Sequence, residues 1–144
     1  MNINKFTQKS IEAIQDIEKL AYEYGNQEMD QEHLVCALVN QKDGLIPKMI
    51  EKMEINLDHF KKRIVDYIEK KPKVQGGELR ISNDLNKVLV TAENEAKAMG
   101  DEYVSVEHLF LTLLKNPNRA MKEFFGEYGI TRERFLQALA TVRG

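Results

Sequence analysis

The triplet Glu-His-Leu occurs twice in this chain, as Glu32-His33-Leu34 and as Glu107-His108-Leu109. A carboxylate beside an imidazole is a pairing used for proton transfer and for metal binding, so these triplets are the first candidates for chemistry. The metal reading lacks its pattern: the order is Glu-His at both places, and the His-Glu-x-x-His spacing that puts two imidazoles on one helix face is absent. The nucleophile reading rests on Cys36, the one cysteine, with His33, His59 and His108 as possible bases. The second copy argues against it, because the position matching Cys36 is Leu111. Cys36 also lies in the apolar run Leu34-Val35-Cys36-Ala37-Leu38, where a buried, inert thiol is expected. No G-x-x-x-x-G-K-[ST] loop is formed by any of the glycines, so this stretch of chain is not expected to hydrolyse ATP. The triplets therefore read as structural or binding elements, and the chain as a protein-binding module rather than an enzyme.

The spacing of the triplets identifies the elements that hold them. They are 108 − 33 = 75 residues apart, and the same offset aligns Glu18 with Glu93, Ala21 with Ala96, Gly25 with Gly100, Leu38 with Leu113, Ile55 with Ile130 and Phe60 with Phe135. Phe6 falls on Ile81, Thr7 on Ser82, Ile14 on Leu89 and Asn26 on Asp101. One offset held over some fifty residues marks a tandem duplication, with repeat one at about 6–70, a linker at 71–80 and repeat two at about 81–143. Each repeat predicts four helices. The first follows Thr7 or Ser82 as N-cap, carries Ile14, Ile17, Ala21 and Tyr24 (or Leu85, Leu89, Ala92 and Ala96) as its apolar stripe, and ends at Gly25 or Gly100. The second is capped by Asp30 or Ser105, and its first turn holds the glutamates, where the helix dipole favours a carboxylate. A short third helix spans about 45–53 or 120–128, and the fourth follows Asn56 or Thr131. The expected fold is all-α: two tandem four-helix repeats packed with pseudo-twofold symmetry as one domain, since half of about 65 residues is too small to be stable alone. The one strand candidate, Glu78-Leu79-Arg80-Ile81, is too short to form a sheet by itself.

On this scaffold the histidines are expected to bond the loop preceding their helix. Glu32 and Glu107 have two readings: dipole partners of their helices, or exposed carboxylates beside a groove that pair with a partner's basic side chain. No arginine or lysine is expected near either glutamate. The basic run Lys61, Lys62, Arg63, Lys70, Lys71 and Lys73 reads as a solvated helix face and linker.

The bulk composition narrows the partners. Of the 144 residues 42% are hydrophobic and 31% charged, which suits a folded soluble domain, and the net charge of −2 offers no electrostatic grip on nucleic acid or membrane. No apolar run approaches the roughly 20 residues needed to span a bilayer. With no internal disulfide possible and no apolar leader, a reducing, cytoplasmic setting is expected.

The duplicated pattern resembles the Clp N-terminal domain family of AAA+ unfoldases over the whole chain. The residues that carry the resemblance are Phe6-Thr7, Ala21 with Gly25, Asp30-Gln31-Glu32-His33-Leu34, and Ser105-Val106-Glu107-His108-Leu109. The linker Lys71-Pro72-Lys73-Val74 with Gly76-Gly77, and the closing 138–144 run, are similar to the disaggregase branch of that family. The resemblance implies a substrate-binding N-terminal module of an ATP-dependent protein disaggregase, which engages unfolded or aggregated proteins and passes them to the AAA+ ring. It implies Thr7, Asp101 and Glu107 as substrate-handling residues, with an apolar groove between the halves. It implies a homohexameric parent cooperating with the DnaK system, with ATP and magnesium bound only in AAA+ modules beyond this chain. A second branch uses a glutamate of each Glu-His-Leu motif to hold phosphoarginine or to dock adaptors, which implies Glu32 and Glu107 as the alternative site. Asp101 has only Asn26 opposite it, so the two faces are expected to share a fold but not a duty, with substrate contacts concentrated where Thr7 approaches the second repeat.

Overall fold

Most helix starts in this chain are set by side chains that accept the orphan N–H groups of a first turn, the short helix behind Gly44 being an exception. In the computed structural model, which describes residues 2–143, Thr7 accepts from the Ser10 N–H and begins α1 (Gln8–Glu23), and Ser82 accepts from the Leu85 N–H and begins α5 (Asn83–Ala98). Asp30 precedes α2 (Gln31–Val39) and Ser105 precedes α6 (Val106–Lys115). The short helices α3 (Leu45–Lys52) and α7 (Arg119–Glu127) follow, then α4 (Leu57–Glu69) behind Asn56 and α8 (Arg132–Arg143) behind Thr131. α1 and α5 stop at Gly25 and Gly100, whose φ of +70° and +71° let the next N–H turn back onto the Ala21 and Ala96 carbonyls at 2.8 Å each. Eight α-helices thus form among the described residues, in the all-α arrangement expected.

The expected stripes point inward. Ala21 is buried, and Ile17, Leu85, Ala92, Phe60, Ile64, Phe135 and Leu139 are buried in one apolar core that draws on both repeats. Phe60 of α4 meets Phe124 of α7 at 4.7 Å between ring centroids, and Phe110 of α6 stacks on Phe135 of α8 at 4.8 Å. Such pairs add about 0.5–1.5 kcal/mol each beyond their buried area.

The strand candidate does find a partner, in the other repeat. β1 (Glu28–Met29) pairs in parallel with β2 (Arg80–Ile81), with Met29 opposite Ile81. Adding 75 to Met29 gives Val104 and subtracting 75 from Ile81 gives Phe6, and those two residues form the matching parallel bridge. The Ser82 N–H donates to the Met29 carbonyl and the Thr7 N–H to the Val104 carbonyl, both at 2.9 Å. The entry to each repeat is therefore stitched to the loop before the second helix of the other, which is the reciprocity a pseudo-twofold axis requires.

Candidate functional site: two anionic pockets at the helix starts

Each Glu-His-Leu triplet opens a helix with its histidine at the third helical position. The His33 Nδ1 accepts from the Asp30 N–H at 2.9 Å, and the His108 Nδ1 accepts from the Ser105 N–H at 2.9 Å. A backbone N–H can only donate, so Nδ1 is unprotonated in both rings and Nε2 carries the hydrogen. That hydrogen points back to the preceding loop: to Asn26 Oδ1 at 2.9 Å from His33, and to Asp101 Oδ2 at 2.7 Å from His108. Both histidines thus make the turn-fixing bonds expected of them, and both are fully buried. Burial, with the nearby Lys71 charge, pushes His33 down to about 4.

The glutamates differ from the exposed carboxylates that one reading of the sequence allowed. Glu32 and Glu107 are buried, because each is folded over the first turn of its helix and covered by a cation. The expectation that no lysine or arginine lies near them is also overturned. Lys71 Nζ, just past α4, sits 2.8 Å from Glu32 and 3.0 Å from Asp30. Arg143 Nη2, at the end of α8, sits 2.7 Å from Glu107 and 2.8 Å from Asp101. A buried carboxylate needs such a partner, since desolvation of an unpaired charge costs several kcal/mol. Lys71 is thus withdrawn from the solvated run in which the sequence placed it. Chain order hid both cations. The offset of 75 gave no signal, since it places Ile68 opposite Arg143 and nothing in this chain opposite Lys71.

In the first pocket, burial raises the Asp30 carboxyl, but the Gln31 N–H, Lys71 and the Ser82 hydroxyl outweigh it and hold the group below the usual range. In the second, burial opposes but the Ser105 hydroxyl and Arg143 hold Glu107 low, and Arg143 followed by His108 holds Asp101 low.

The pockets are closed to different degrees. The first is sealed from repeat two: Asn118 Nδ2 donates to Glu32 Oε1 at 2.8 Å and to Asp30 Oδ1 at 3.2 Å, and the Ser82 hydroxyl donates to Asp30 Oδ1 at 2.8 Å. Gln31, fully buried, holds that seal by accepting from the Asn118 N–H at 2.7 Å and donating to the Asn116 and Asp84 carbonyls at 2.9 and 3.2 Å. Sequence reasoning missed Gln31 and Asn118. Their counterparts at the offset of 75 are Val106 and Asp43, which cannot reproduce this seal in the second pocket. There the side chain of Asp101 is 27% exposed and that of Arg143 35%, against 17% for Lys71.

Thr7 does not bond Asp101 or Glu107 directly. It reaches them through the backbone, its N–H on the Val104 carbonyl, while Ser10 Oγ donates to the same carbonyl at 3.0 Å. Exposed Ile3 and Tyr103 flank this seam. A separate cleft of about 600 Å³, lined by Leu114, Pro117, Lys122, Phe125, Ile130 and Arg132 among others, lies within repeat two rather than between the halves. Cys36 is buried, and its thiol is pushed up to about 11 by burial, as an inert core cysteine should be. No cluster of three or more His, Cys, Asp or Glu able to hold a metal converges among the described residues, and no helix there is long and apolar enough to cross a membrane.

The Clp repeat N-terminal domain family matches residues 5–128. The chain belongs to that family. It is 39% identical over 150 residues to the chaperone protein ClpB of Nitratidesulfovibrio vulgaris, a match covering all of this chain and 17% of that protein. The fold is shared with the N-terminal domain of Hsp104 from Candida albicans, at a TM-score of 0.84 and 22% identity over 97% of this chain and 92% of that one. It is shared also with a ClpV N-domain solved in complex with a VipB peptide, at a TM-score of 0.74 and 19% identity over 91% and 82% of the two chains. The domain is of the kind found at the start of ClpB- and Hsp104-type chaperones, and it spans about a sixth of the length of the ClpB it matches.

Proposed function

We propose that this domain is the substrate-recruiting module of a ClpB-type disaggregase, taking hold of unfolded or aggregated chains at the seam between Thr7 and the 101–107 segment. The observation that carries this is the junction itself. The Thr7 N–H is bonded to the carbonyl of Val104, in the segment that also supplies Asp101 and Glu107, and exposed Ile3 and Tyr103 border it. An apolar rim beside a carboxylate suits sequence-tolerant binding of chains that expose both apolar and basic residues. That a ClpV N-domain has been captured with a peptide supports protein binding as the general duty of this fold.

The reading extends beyond this domain to an AAA+ ring, homohexameric and working with the DnaK system, that binds ATP and magnesium and threads what the domain delivers; the greater length of the ClpB relative leaves room for such a ring. A receptor for phosphoarginine or adaptors at both glutamates is less well supported, since Glu32 is already held by Lys71 and sealed by Asn118. A titration of the isotope-labelled chain with a permanently unfolded model protein tests the proposal. Amide shifts at Ile3, Thr7, Asp101 and Tyr103, weakened by Thr7→Ala, are expected; an unperturbed seam overturns it.

A further inference from the structure

The cleft of about 600 Å³ in repeat two is lined by a glycine that the fold itself does not require. Gly126 lies in the last turn of α7 with helical backbone, and it is Gly129, at a φ of +63°, that turns the chain out of that helix. A Cβ added at Gly126 would meet no atom within 4 Å. Neither backbone conformation nor crowding calls for glycine there, and glycine destabilises a helix relative to alanine. What the missing side chain does is leave the cleft open. The corresponding position of repeat one is Glu51.

The walls of the cleft have diverged in the same sense. Lys115 and Lys122 line it, both exposed, and neither forms an ion pair among the described residues. Their counterparts at the offset of 75 are Asn40 and Pro47. Arg132 is fixed by a fork onto buried Glu95 at 2.9 and 2.7 Å, where repeat one has Leu57 and Leu20 packed against its core. Glu133 is the one carboxylate among the lining residues, and Leu114, Phe125 and Ile130 supply the apolar floor. Glu95 neutralises Arg132, so the surplus positive charge rests on the two lysines. An apolar floor, unpaired cations at the rim and a glycine that lets another backbone approach are together complementary to one kind of ligand. We propose that this cleft docks a short acidic segment of a partner protein, with one large apolar side chain entering over Gly126 and the flanking carboxylates meeting Lys115 and Lys122. The chemistry is the reverse of that at the seam, where carboxylates border an apolar rim, so the proposal stands whether or not the seam recruits substrates. A nucleic acid shares the negative charge but lacks the apolar anchor, and a chain of net charge −2 offers it no wider hold.

The test uses the whole 144-residue chain and two short unstructured fluorescent peptides, each with one phenylalanine, flanked by glutamates in one and by glutamines in the other. By fluorescence anisotropy the glutamate peptide is expected to bind about fivefold tighter, the scale of two exposed ion pairs, and to lose that margin in concentrated salt and in the Lys115→Gln/Lys122→Gln double variant. Gly126→Gln fills the opening and leaves the charges in place. It should weaken both peptides about tenfold, the scale of one apolar side chain left unburied, while its urea midpoint stays at or above that of wild type. Amide shifts of the isotope-labelled chain should gather at Lys115, Lys122, Gly126 and Thr131 and spare Thr7 and Tyr103. Equal binding of the two peptides overturns the proposal, as does a stable Gly126→Gln variant that binds as wild type does, or a set of shifts confined to the seam. If Gly126→Gln lowers the urea midpoint, the double lysine variant decides alone, and an undiminished preference for glutamate overturns the site. A single-stranded oligonucleotide that binds more tightly than the glutamate peptide, with no loss in Gly126→Gln, overturns the protein partner.

Discussion

The two anionic pockets are copies of one design that differ in where the second carboxylate stands. In repeat one it is the helix cap, Asp30, with the amide Asn26 in the preceding loop; in repeat two the cap is Ser105 and the carboxylate has moved to the loop as Asp101. The histidine follows suit, donating to a neutral amide in one copy and to a carboxylate in the other. The move also decides access. A carboxylate at the cap faces the other repeat, where Ser82 and Asn118 meet it, whereas one in the loop lies toward solvent and, among the described residues, is met by its histidine and Arg143. Duplication supplied two equal pockets; a shift of one charge by four positions leaves one sealed and one open.

The largest test of that contrast is Lys71→Ala. It strands Glu32 among groups that cannot neutralise it, and a loss of about 3–5 kcal/mol in unfolding free energy is expected by urea titration. A loss below about 1 kcal/mol would mean that the first pocket is no more sealed than the second.

Next in size is a pH effect. His33 holds a proton less readily folded, at about 4, than unfolded, at its ordinary 6.5. The unfolded state therefore binds more protons between those values, and stability rises with pH across that window. The His33 contribution is complete above about 6.5, is lost progressively down to about 4, and amounts to roughly 3 kcal/mol. Urea midpoints measured from pH 4 to 7 should show the slope, and His33→Gln should flatten it.

Gln31→Val copies the residue of repeat two into repeat one. It removes the three hydrogen bonds that hold the seal and leaves buried backbone groups without partners, so a loss of about 2 kcal/mol is expected. The sharper readout is structural: exchange of the Asn118 N–H should rise toward that of the open copy.

Arg143→Ala should be the mildest, about 1–2 kcal/mol and shrinking with added salt: Glu107 loses its cation, but the Arg143 and Asp101 side chains are partly solvated and the Ser105 hydroxyl still holds Glu107. A cost equal to that of Lys71→Ala would erase the difference between the pockets.

The sequence by itself determined the duplication, the caps and the apolar stripes. These are local, since a cap acts within its own first turn and a stripe repeats every 3.6 residues, so linear spacing carries them. It determined the histidine geometry for the same reason: the imidazole needs only its own N-cap and the loop seven residues back. Tertiary structure alone decided which cation meets which glutamate. Lys71 and Glu32 are 39 residues apart and Arg143 and Glu107 are 36 apart, and the helices between them must fold before the charges meet. It also decided that a two-residue strand, too short to stand alone, would be paired across repeats, and that Asn118 would close a pocket 86 residues away. Burial turned Glu32 and Glu107 from candidate surface carboxylates into neutralised ones, because a charge withdrawn from water must be matched by whatever the fold brings beside it. The two glutamates thus sit in pockets of unequal access, and the inequality comes from contacts made across the repeats.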